Sequence, residues 1–284
     1  MSYYSITCLK NFSVPILIEV CDLKFVISLF MQYAAAITPV AHIRAEPSHR
    51  SEIVSQLLFG EAVVIKTEKK DFTEIISVYD NYEGWVQNSQ LEKVKASFAK
   101  RKPDGFIKEH NIVATRNDAP IHLPLGTPVF RWLRHIGNIQ ISYKKAYTKL
   151  HEQLPFTQEN IEKLAYSYIN TPYLWGGKSN LGIDCSGFTQ QVFKQFGIFL
   201  KRDAYQQATQ GEVVGFLQLA VCGDLAFFDN EEGHITHVGI LLNDSSIIHS
   251  SGCVRIDPID NEGIINKETK LRTHRLRMIK RMEV

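Results

Sequence analysis

Residues 181–200 read LGIDCSGFTQQVFKQFGIFL and predict an amphipathic helix that begins at Cys185. Apolar side chains then recur at the spacing of one helical face, at Phe188, Val192, Phe193 and Phe196. Gly197 supplies a helix stop. Unpaired N–H groups and the positive end of the helix dipole favour an anion in the first turn. We therefore expect a nucleophilic thiolate with a lowered pKa at Cys185, or else a buried structural cysteine.

Further elements are predicted on both sides of this helix. Upstream, TQENIEKLAYSYIN predicts a helix that starts at Thr157. Downstream, three strands are predicted at residues 223–228, 237–242 and 245–252, and a fourth in the C-terminal KLRTHRLRMIKRM. The alternating lysines and arginines of that last segment indicate the solvent-exposed face of a half-buried strand rather than a nucleic-acid site. Helices followed by antiparallel strands predict the α+β class.

Two histidines in the predicted hairpin are candidate bases. Thiol catalysis needs an imidazole that moves protons and a third polar group that fixes its tautomer. His237 opens one strand and His249 lies near the end of the other, so they meet if the register puts both on one face. Gly239 on that face is expected to leave room for the cysteine helix. His234 and His274 are rival bases, and spacing does not choose among them.

A metal site is the alternative for this cysteine and histidine set, because Zn²⁺ takes the same ligands. The sequence contains no H-x-x-x-H motif, and no second cysteine lies near Cys185. We therefore predict no metal. The five cysteines of the chain are scattered and form no C-x-x-C pair, which favours a reducing compartment over a disulfide framework.

The rest of the chain divides into three further segments. Residues 1–37 are apolar, and Phe25 to Ile37 is too short to span a bilayer. They are interpreted as an export leader or, preferably, as an extension upstream of a true start at Met31. Residues 38–95 contain short strands separated by turns, as in a small barrel. Residues 96–155 are predicted as a β-rich connector or a second, degenerate barrel, and residues 156–284 as the domain that carries Cys185.

Composition describes an ordinary globular chain. Of 284 residues, 44% are hydrophobic and 22% charged, and the net charge is +2. A charge this small gives no reason to expect nucleic acid as a partner.

Three sequence blocks carry a family resemblance. PYLWGGKSNLGIDCSGF, THVGILL and IIHSSG occur in this order and resemble the NlpC/P60 family of papain-like cysteine peptidases. The resemblance implies helices packed on an antiparallel sheet, with Cys185 as nucleophile and His237 as general base. It further implies that His249 orients His237 and that Tyr173 helps to hold the oxyanion. No cofactor is implied.

The N-terminal half extends the resemblance. SEIVSQLLFGE and YEGWV resemble a bacterial SH3-like β-barrel, and the whole chain is similar to the γ-D-glutamyl-L-diamino-acid endopeptidases that trim murein peptides. The resemblance implies a groove closed at one end, where acidic and tyrosyl groups bind the free amino group of an N-terminal L-alanine. The matching positions are Asp203, Tyr82 and Glu52, and Asp184 and Ser186 are expected to line the D-glutamyl part.

The sequence thus predicts a cytoplasmic peptidase that cleaves the bond between γ-D-glutamate and meso-diaminopimelate or L-lysine. Its partner is a free murein peptide, and neither nucleic acid nor a membrane span is expected. One alternative is an exported hydrolase that acts on intact wall, if residues 1–37 are a signal peptide. A second is a wall-binding protein without activity, against which the intact set of Cys185, His237 and His249 argues.

Overall fold

A computed structural model describes residues 31–110, 112–130, 133–143 and 154–283. The part of the predicted leader up to residue 30 lies outside the described residues, as do residues 111, 131, 132 and 144–153 of the predicted connector. Within the described ranges, no helix is both long enough and apolar enough to cross a membrane.

Residues 33–94 form seven antiparallel strands, numbered β1 to β7. In chain order these strands are Tyr33–Ala36, Val40–Arg44, Ile53–Leu58, Ala62–Glu68, Phe72–Ser77, Glu83–Gln87 and Leu91–Val94. They make one sheet in the order β3-β2-β6-β5-β4-β1-β7, and a 3-10 turn at Asn88–Gln90 precedes β7. Every residue of β1 is buried.

The first strand corrects the expected start of this domain. Strand β1 pairs with β4 and β7, so residues 33–36 belong to the sheet and not to the segment that precedes it. These residues lie within the segment 1–37 that the sequence predicted as a leader or an extension. In the structure Ala34 and Ala36 face one hydrophobic core and Ala35 faces another. Small side chains therefore allow this strand to be buried on both faces.

The connector is also built of strands. Helix α1 covers Ala96–Ala99. Strands β8 to β13 follow at Gly105–Phe106, Ile112–Arg116, Ala119–Leu123, Pro128–Val129, His135–Ile136 and Ile139–Tyr143. They form a sheet in the order β10-β9-β13-β12 and a separate pair of β11 with β8. Their core includes Ala35, Ile37 and Phe59, so the connector packs directly against the first sheet.

The C-terminal part contains three helices, α2 to α4, and a second large sheet. The helices cover Gln158–Tyr166, Cys185–Lys194 and Ala204–Gln207. Strands β14 to β22 cover Lys178–Ser179, Gly182–Ile183, Glu212–Val214, Leu225–Asp229, Ile235–Asn243, Ser246–Ser251, Cys253–Asp260, Gly263–Ile265 and Arg272–Arg281. Seven of these strands are ordered β16-β22-β17-β18-β19-β20-β21, and β14 pairs with β15. A 3-10 turn lies at Leu217–Leu219. The predicted α+β class is confirmed.

Both predicted helices form where the pattern indicates. Thr157 caps α2, and its hydroxyl accepts a hydrogen bond from the Asn160 N–H. Helix α3 starts at Cys185, all ten of its residues are buried, and Gly197 has the positive φ of 76° that ends a helix cleanly. The face predicted to be apolar packs against α2 and the sheet.

Buried charges join the first sheet to helix α3. The Lys194 ammonium lies 2.5 Å from one oxygen of Glu61, and the Lys178 ammonium lies 3.9 Å from the other and 3.7 Å from Asp80. All four side chains are at most 5% exposed. Burial acts to raise the pKa of Glu61, but the two lysines together hold it below its usual value. Charges at this depth persist because they are paired.

Replacing Glu61 by glutamine is expected to destabilise the protein by about 3–5 kcal/mol, because Lys194 is then buried without its counter-ion. Urea titration of the variant measures this loss. Glu83→Gln is the matched control, since Glu83 also pairs with a lysine but its side chain is 56% exposed. It should cost at most about 1 kcal/mol. Equal losses in the two variants would contradict the prediction.

Candidate active site

Cys185 occupies the first turn of helix α3, next to strand β18. The side chain of Asp184 caps the helix by accepting the Gly187 N–H at 2.6 Å, which fixes where the helix starts. The thiol itself is 6% exposed. The backbone N–H groups of Val238 and Ser186 act to lower the pKa of this thiol, and Val238 is the residue that follows His237.

The expected lowering of the thiol pKa is wrong. Burial, assisted by the negative charge of Asp184, raises the pKa of Cys185 to about 12. The Val238 and Ser186 N–H groups and the Arg202 guanidinium act in the opposite direction but are outweighed. A helix N-terminus stabilises a thiolate only when desolvation does not cost more. The resting thiol is therefore protonated.

His237 and His249 form a hydrogen-bonded pair. Strands β18 and β19 place Gly239 opposite His249, so His237 and His249 share a face and lie on a diagonal. His237 Nε2 is 2.9 Å from His249 Nδ1, and His249 Nε2 is 3.0 Å from Asp257 Oδ2 on β20. The pairing of two buried imidazoles with a buried carboxylate forms a continuous relay.

Helix α3 packs on β18 through Val238 and Ile240, and Cys185 in its first turn lies close to the backbone N–H of Val238, the residue after His237. A Cβ on Gly239 would lie 2.8 Å from the Cβ of His249. Gly239 thus makes room for His249 and not, as expected, for the cysteine helix. Among the described residues no hydrogen bond joins the thiol to either imidazole, and the Val238 N–H is the contact that brings Cys185 to this strand.

The two rival histidines have different positions. His274 on β22 stacks on His237 with ring centroids 4.1 Å apart and planes inclined by 25°. His234 is instead exposed to solvent. Its side chain is 76% exposed, and its ring lies 3.4 Å from the Glu232 carboxylate.

His237, His249 and His274 are also a possible metal-binding group, because their candidate ligand atoms lie within 4.8 Å of one another. The geometry favours hydrogen bonding instead. His237 Nε2 and His249 Nδ1 are 2.9 Å apart, closer than the roughly 3.3 Å that separates two nitrogen ligands of a tetrahedral zinc ion. One of these two nitrogens therefore donates a hydrogen bond to the other.

Tyr173 lies in the loop before helix α3, and its phenol interacts electrostatically with Cys185. Burial, and then the charges of Cys185 and Asp184, raise the pKa of this phenol, so it remains a hydrogen-bond donor. Its backbone is held by an N–H bond to Gly252 O at 2.9 Å and a bridge to Ile183. The position is compatible with the predicted contact to an oxyanion.

Asp184 and Ser186 are held by Arg202. The guanidinium contacts both carboxylate oxygens of Asp184, at 3.0 and 2.6 Å, and the Ser186 hydroxyl at 2.9 Å. It also bonds Ser55 on β3 at 2.9 Å. The Asp184 carboxylate additionally accepts the Gly176 and Gly187 N–H groups. Because its oxygens are occupied in this way, the Asp184 side chain shapes the loop that leads into helix α3.

Asp203 and Tyr82 come together from opposite halves of the chain. The Tyr82 hydroxyl lies 3.5 Å from Asp203 Oδ1. Burial raises the pKa of Asp203, and the neighbouring Arg202 acts against this. Asp203 is also the N-cap residue of α4, so it caps a helix and contacts Tyr82 at the same time.

Glu52 contacts the loop that precedes Cys185. Its carboxylate accepts a 2.6 Å hydrogen bond from the Trp175 indole, and Trp175 is 62% exposed. Nearby, a Cβ on Gly176 would lie 2.4 Å from the Ile53 carbonyl oxygen. Only a glycine allows strand β3 and this loop to approach so closely. Glu52, Ser55 and Tyr82 therefore all reach the C-terminal domain along one junction.

The buried histidines predict acid sensitivity. Burial lowers the pKa of His237 well below its ordinary value, and that of His274 to about 4. Both are neutral when folded but bind protons below about pH 6.5 when unfolded. The free energy of unfolding should therefore fall between pH 6.5 and 4, by up to about 1.4 kcal/mol per pH unit and group.

Urea unfolding at a series of pH values measures this slope. His274→Gln should flatten it, whereas the exposed His234→Gln should leave it unchanged. An identical slope in wild type and His274→Gln would contradict the assignment.

Sequence reasoning missed two residues of this region, Asp257 and Arg202, and it did not predict the contact that a third, His274, makes. Asp257 lies on the strand that follows His249 after a tight turn. That Asp257 and His249 share a face of the sheet can be determined only from the register of β19 with β20. Arg202 is adjacent to the predicted Asp203, yet nothing in the sequence identifies Asp184 as its partner. His274 was named as a rival base, and its stacking on His237 needed the sheet order.

Comparison with known proteins agrees with these features. Residues 170–273 match the family model described as the NlpC/P60 family, and residues 43–91 match the bacterial dipeptidyl-peptidase Sh3 domain. The chain is 32% identical over 219 residues to a gamma-D-glutamyl-L-lysine dipeptidyl-peptidase of Bacillus subtilis (strain 168), covering 70% of this chain and 72% of the relative.

Two other matches cover more of both chains. Dipeptidyl-peptidase 6 of Lysinibacillus sphaericus is 28% identical over 251 residues, covering 77% of this chain and 87% of the relative. A crystal structure of an NlpC/P60 family protein from Bacillus cereus ATCC 10987 superimposes with a TM-score of 0.73 at 19% identity, covering 88% of this chain and 99% of that one. It supports the fold: a papain-like domain preceded by an SH3-like β domain. From its sequence, its fold and the matched relatives, the chain belongs to the NlpC/P60 family of cysteine peptidases.

Proposed function

We propose that this cysteine peptidase hydrolyses the bond between γ-D-glutamate and a diamino acid, meso-diaminopimelate or L-lysine, in murein peptides that begin with a free L-alanine. The contact of Tyr82 with Asp203, made across the junction of the two domains, is the observation that carries the proposal. An ammonium group needs an anionic partner in a partly dry site, and Asp203 is half-buried there. The name of the Bacillus subtilis relative supports the same bond.

The domain junction favours a short substrate over a polymer. Strand β3 lies against the loop at residues 175–178, through Glu52 with Trp175 and Gln56 with Lys178. A site closed in this way accepts a free amino terminus and excludes an alanine still attached to sugar. Glu52 and Tyr82 would then bind substrate from the SH3-like domain, although catalysis belongs to the other domain.

Acylation starts at the protonated thiol. His237 Nε2 is engaged with His249, so His237 Nδ1 is the nitrogen that accepts the thiol proton. The thiolate sulfur attacks the γ-carbonyl carbon of D-glutamate, and the backbone N–H of Cys185 and the Tyr173 hydroxyl stabilise the oxyanion. The C–N bond then breaks, His237 returns its proton to the leaving amine, and the thioester remains.

Deacylation repeats these steps with water as the nucleophile. His237 takes a proton from water, the hydroxide oxygen attacks the thioester carbon, and the sulfur leaves as thiolate and regains the proton. The net reaction consumes one water and releases L-Ala-D-Glu, with a free γ-carboxyl group, and the free diamino acid. The acyl group is carried by Cys185, and the protons are moved by His237.

The test is a cleavage assay with the purified full-length protein and L-Ala-γ-D-Glu-meso-diaminopimelate or its L-lysine analogue, followed by mass spectrometry. We expect release of the free diamino acid, no effect of a chelator and loss of activity after iodoacetamide treatment. The N-acetylated peptide and polymeric murein are the comparison substrates. Equal cleavage of either would support the exported wall hydrolase instead, and no cleavage of any peptide would reject the proposed substrate.

We propose the cytoplasm as the site of this reaction. Cys185, Cys222 and Cys253, the cysteines of the described part of the chain, are all free thiols, as a reducing compartment favours. Fractionation of the native host, combined with the intact mass of the mature chain, tests this proposal. A periplasmic or wall-bound pool lacking an N-terminal segment would support the exported alternative.

A further inference from the structure

A carboxylate closes the relay behind His249. Asp257 is 2% exposed and accepts hydrogen bonds from four donors. His249 Nε2 and Arg255 Nε reach Oδ2 at 3.0 and 2.8 Å, and Arg255 Nη2 and the Lys267 N–H reach Oδ1 at 3.0 and 2.8 Å. A carboxyl group that accepts four hydrogen bonds has no proton to donate. Asp257 is therefore a fixed, ionised acceptor.

This environment keeps Asp257 charged in spite of its burial. Burial acts to raise the pKa of Asp257, but the hydrogen bonds from His249, Arg255 and the Lys267 N–H hold it well below its usual value. Arg255 stands two residues before Asp257 on the same strand and binds it with two nitrogens, a geometry that favours the ionised form.

An ionised Asp257 determines the protons of both histidines. Because the carboxylate accepts only, a neutral His249 must carry its proton on Nε2, which leaves His249 Nδ1 as an acceptor. That atom faces His237 Nε2 at 2.9 Å, so His237 Nε2 must donate. His237 Nδ1 then carries a lone pair. The opposite arrangement, with a proton on His249 Nδ1, would place the proton of His237 on Nδ1 and abolish its basicity there.

We propose that Asp257 is a positioning residue that fixes the tautomers of His249 and His237, so that His237 Nδ1 is unprotonated and ready to accept the Cys185 proton. The inference rests on the proposed role of His237 as the general base. In the step concerned the S–H bond breaks and the Nδ1–H bond forms. Asp257 stays ionised and stabilises the imidazolium through His249.

The contact with Asp257 also explains why a histidine, His249, can serve as the group that orients His237. A histidine has two tautomers, and alone it can hold its partner in either form. Asp257 removes this ambiguity at the end of the relay. Arg255 and the Lys267 N–H prevent the carboxylate from rotating, since each of its oxygens has a partner of its own.

Nitrogen NMR of the histidine-labelled wild-type protein gives the direct test, because it distinguishes a protonated ring nitrogen from a bare one and needs no substrate. We expect His237 and His249 both to be protonated on Nε2, with assignments made from His237→Gln and His249→Gln. A wild-type His249 protonated on Nδ1 would overturn the proposal. Failure of the proposed substrate would leave this spectrum unchanged, so the two failures are distinguishable.

Kinetics of Asp257→Asn give the second test. An asparagine can donate to His249 Nε2 and so favour the wrong tautomers. We expect kcat to fall by about 10²- to 10⁴-fold with little change in KM, and Asp257→Glu to restore part of it. Asp260→Asn is the matched control: Asp260 lies on the same strand and pairs with Arg272 at the surface. Folded Asp257→Asn with a wild-type kcat, or with wild-type tautomers, would contradict the role.

Discussion

Replacing Cys185 by alanine is expected to lower kcat/KM for the murein tripeptide by about 10⁴- to 10⁶-fold, the loss that follows removal of a covalent nucleophile. No neighbouring group replaces the sulfur, because the Ser186 hydroxyl is bound to Arg202 and Asp184. The variant should still fold, because the exchange removes only the sulfur atom of one side chain. The assay is diamino acid release at saturating peptide, with the unfolding midpoint measured in parallel.

Cys222→Ala is the control for this variant. Cys222 is also a free cysteine, but it is only partly buried, and its thiol interacts with Tyr166. Its replacement should leave kcat/KM within about twofold of wild type. If Cys185→Ala retains a tenth of the activity, or if both variants lose the same amount, then Cys185 is not the nucleophile.

The second large effect concerns the amino terminus of the substrate. Asp203→Asn is expected to lower kcat/KM for the free tripeptide by about 10- to 100-fold, because a charged hydrogen bond of about 1.5–3 kcal/mol is lost. The rate for the N-acetylated peptide should not change, so the preference for a free amine collapses. Tyr82→Phe should act in the same direction with a smaller effect, since it removes a neutral hydroxyl.

Glu83→Gln controls for the loop that carries Tyr82. Glu83 is the next residue along the chain but pairs with Lys66 at the surface, and its exchange should not alter either rate. Because burial raises the pKa of Asp203, its charge is lost at a higher pH than that of an ordinary aspartate. The preference for a free amine should therefore weaken as the pH falls through the acid range. An unchanged preference in Asp203→Asn would remove this residue from the amine site.

Helical periodicity and capping chemistry were sufficient to predict the elements that carry the site. The Phe188 to Phe196 spacing placed the start of α3 at Cys185, and the Thr157 signal placed the start of α2. The hairpin of β18 and β19 followed from two β-rich runs separated by a short turn. These signals are local, and each depends on residues close together in the chain.

Interactions between distant segments could not be predicted in the same way. The bond from Arg202 to Asp184 requires a known path for the loop after α3, and the bond from His249 to Asp257 requires the register of β20. The thiol pKa was predicted in the wrong direction because a helix N-terminus is visible in the sequence, whereas burial by the sheet is not. Strand β1 was missed because a run of alanines has no strand pattern of its own.

Two buried lysines of the peptidase domain limit how this enzyme can be divided or recombined. Lys194 and Lys178 belong to the peptidase domain, but Glu61 and Asp80, which neutralise them, belong to the SH3-like domain. A peptidase domain produced alone would expose two uncompensated cations, Lys194 at the end of helix α3 and Lys178 on strand β14. The SH3-like domain is thus not an exchangeable module, and a chimera with another NlpC/P60 domain needs both halves of this charge network to be transferred together.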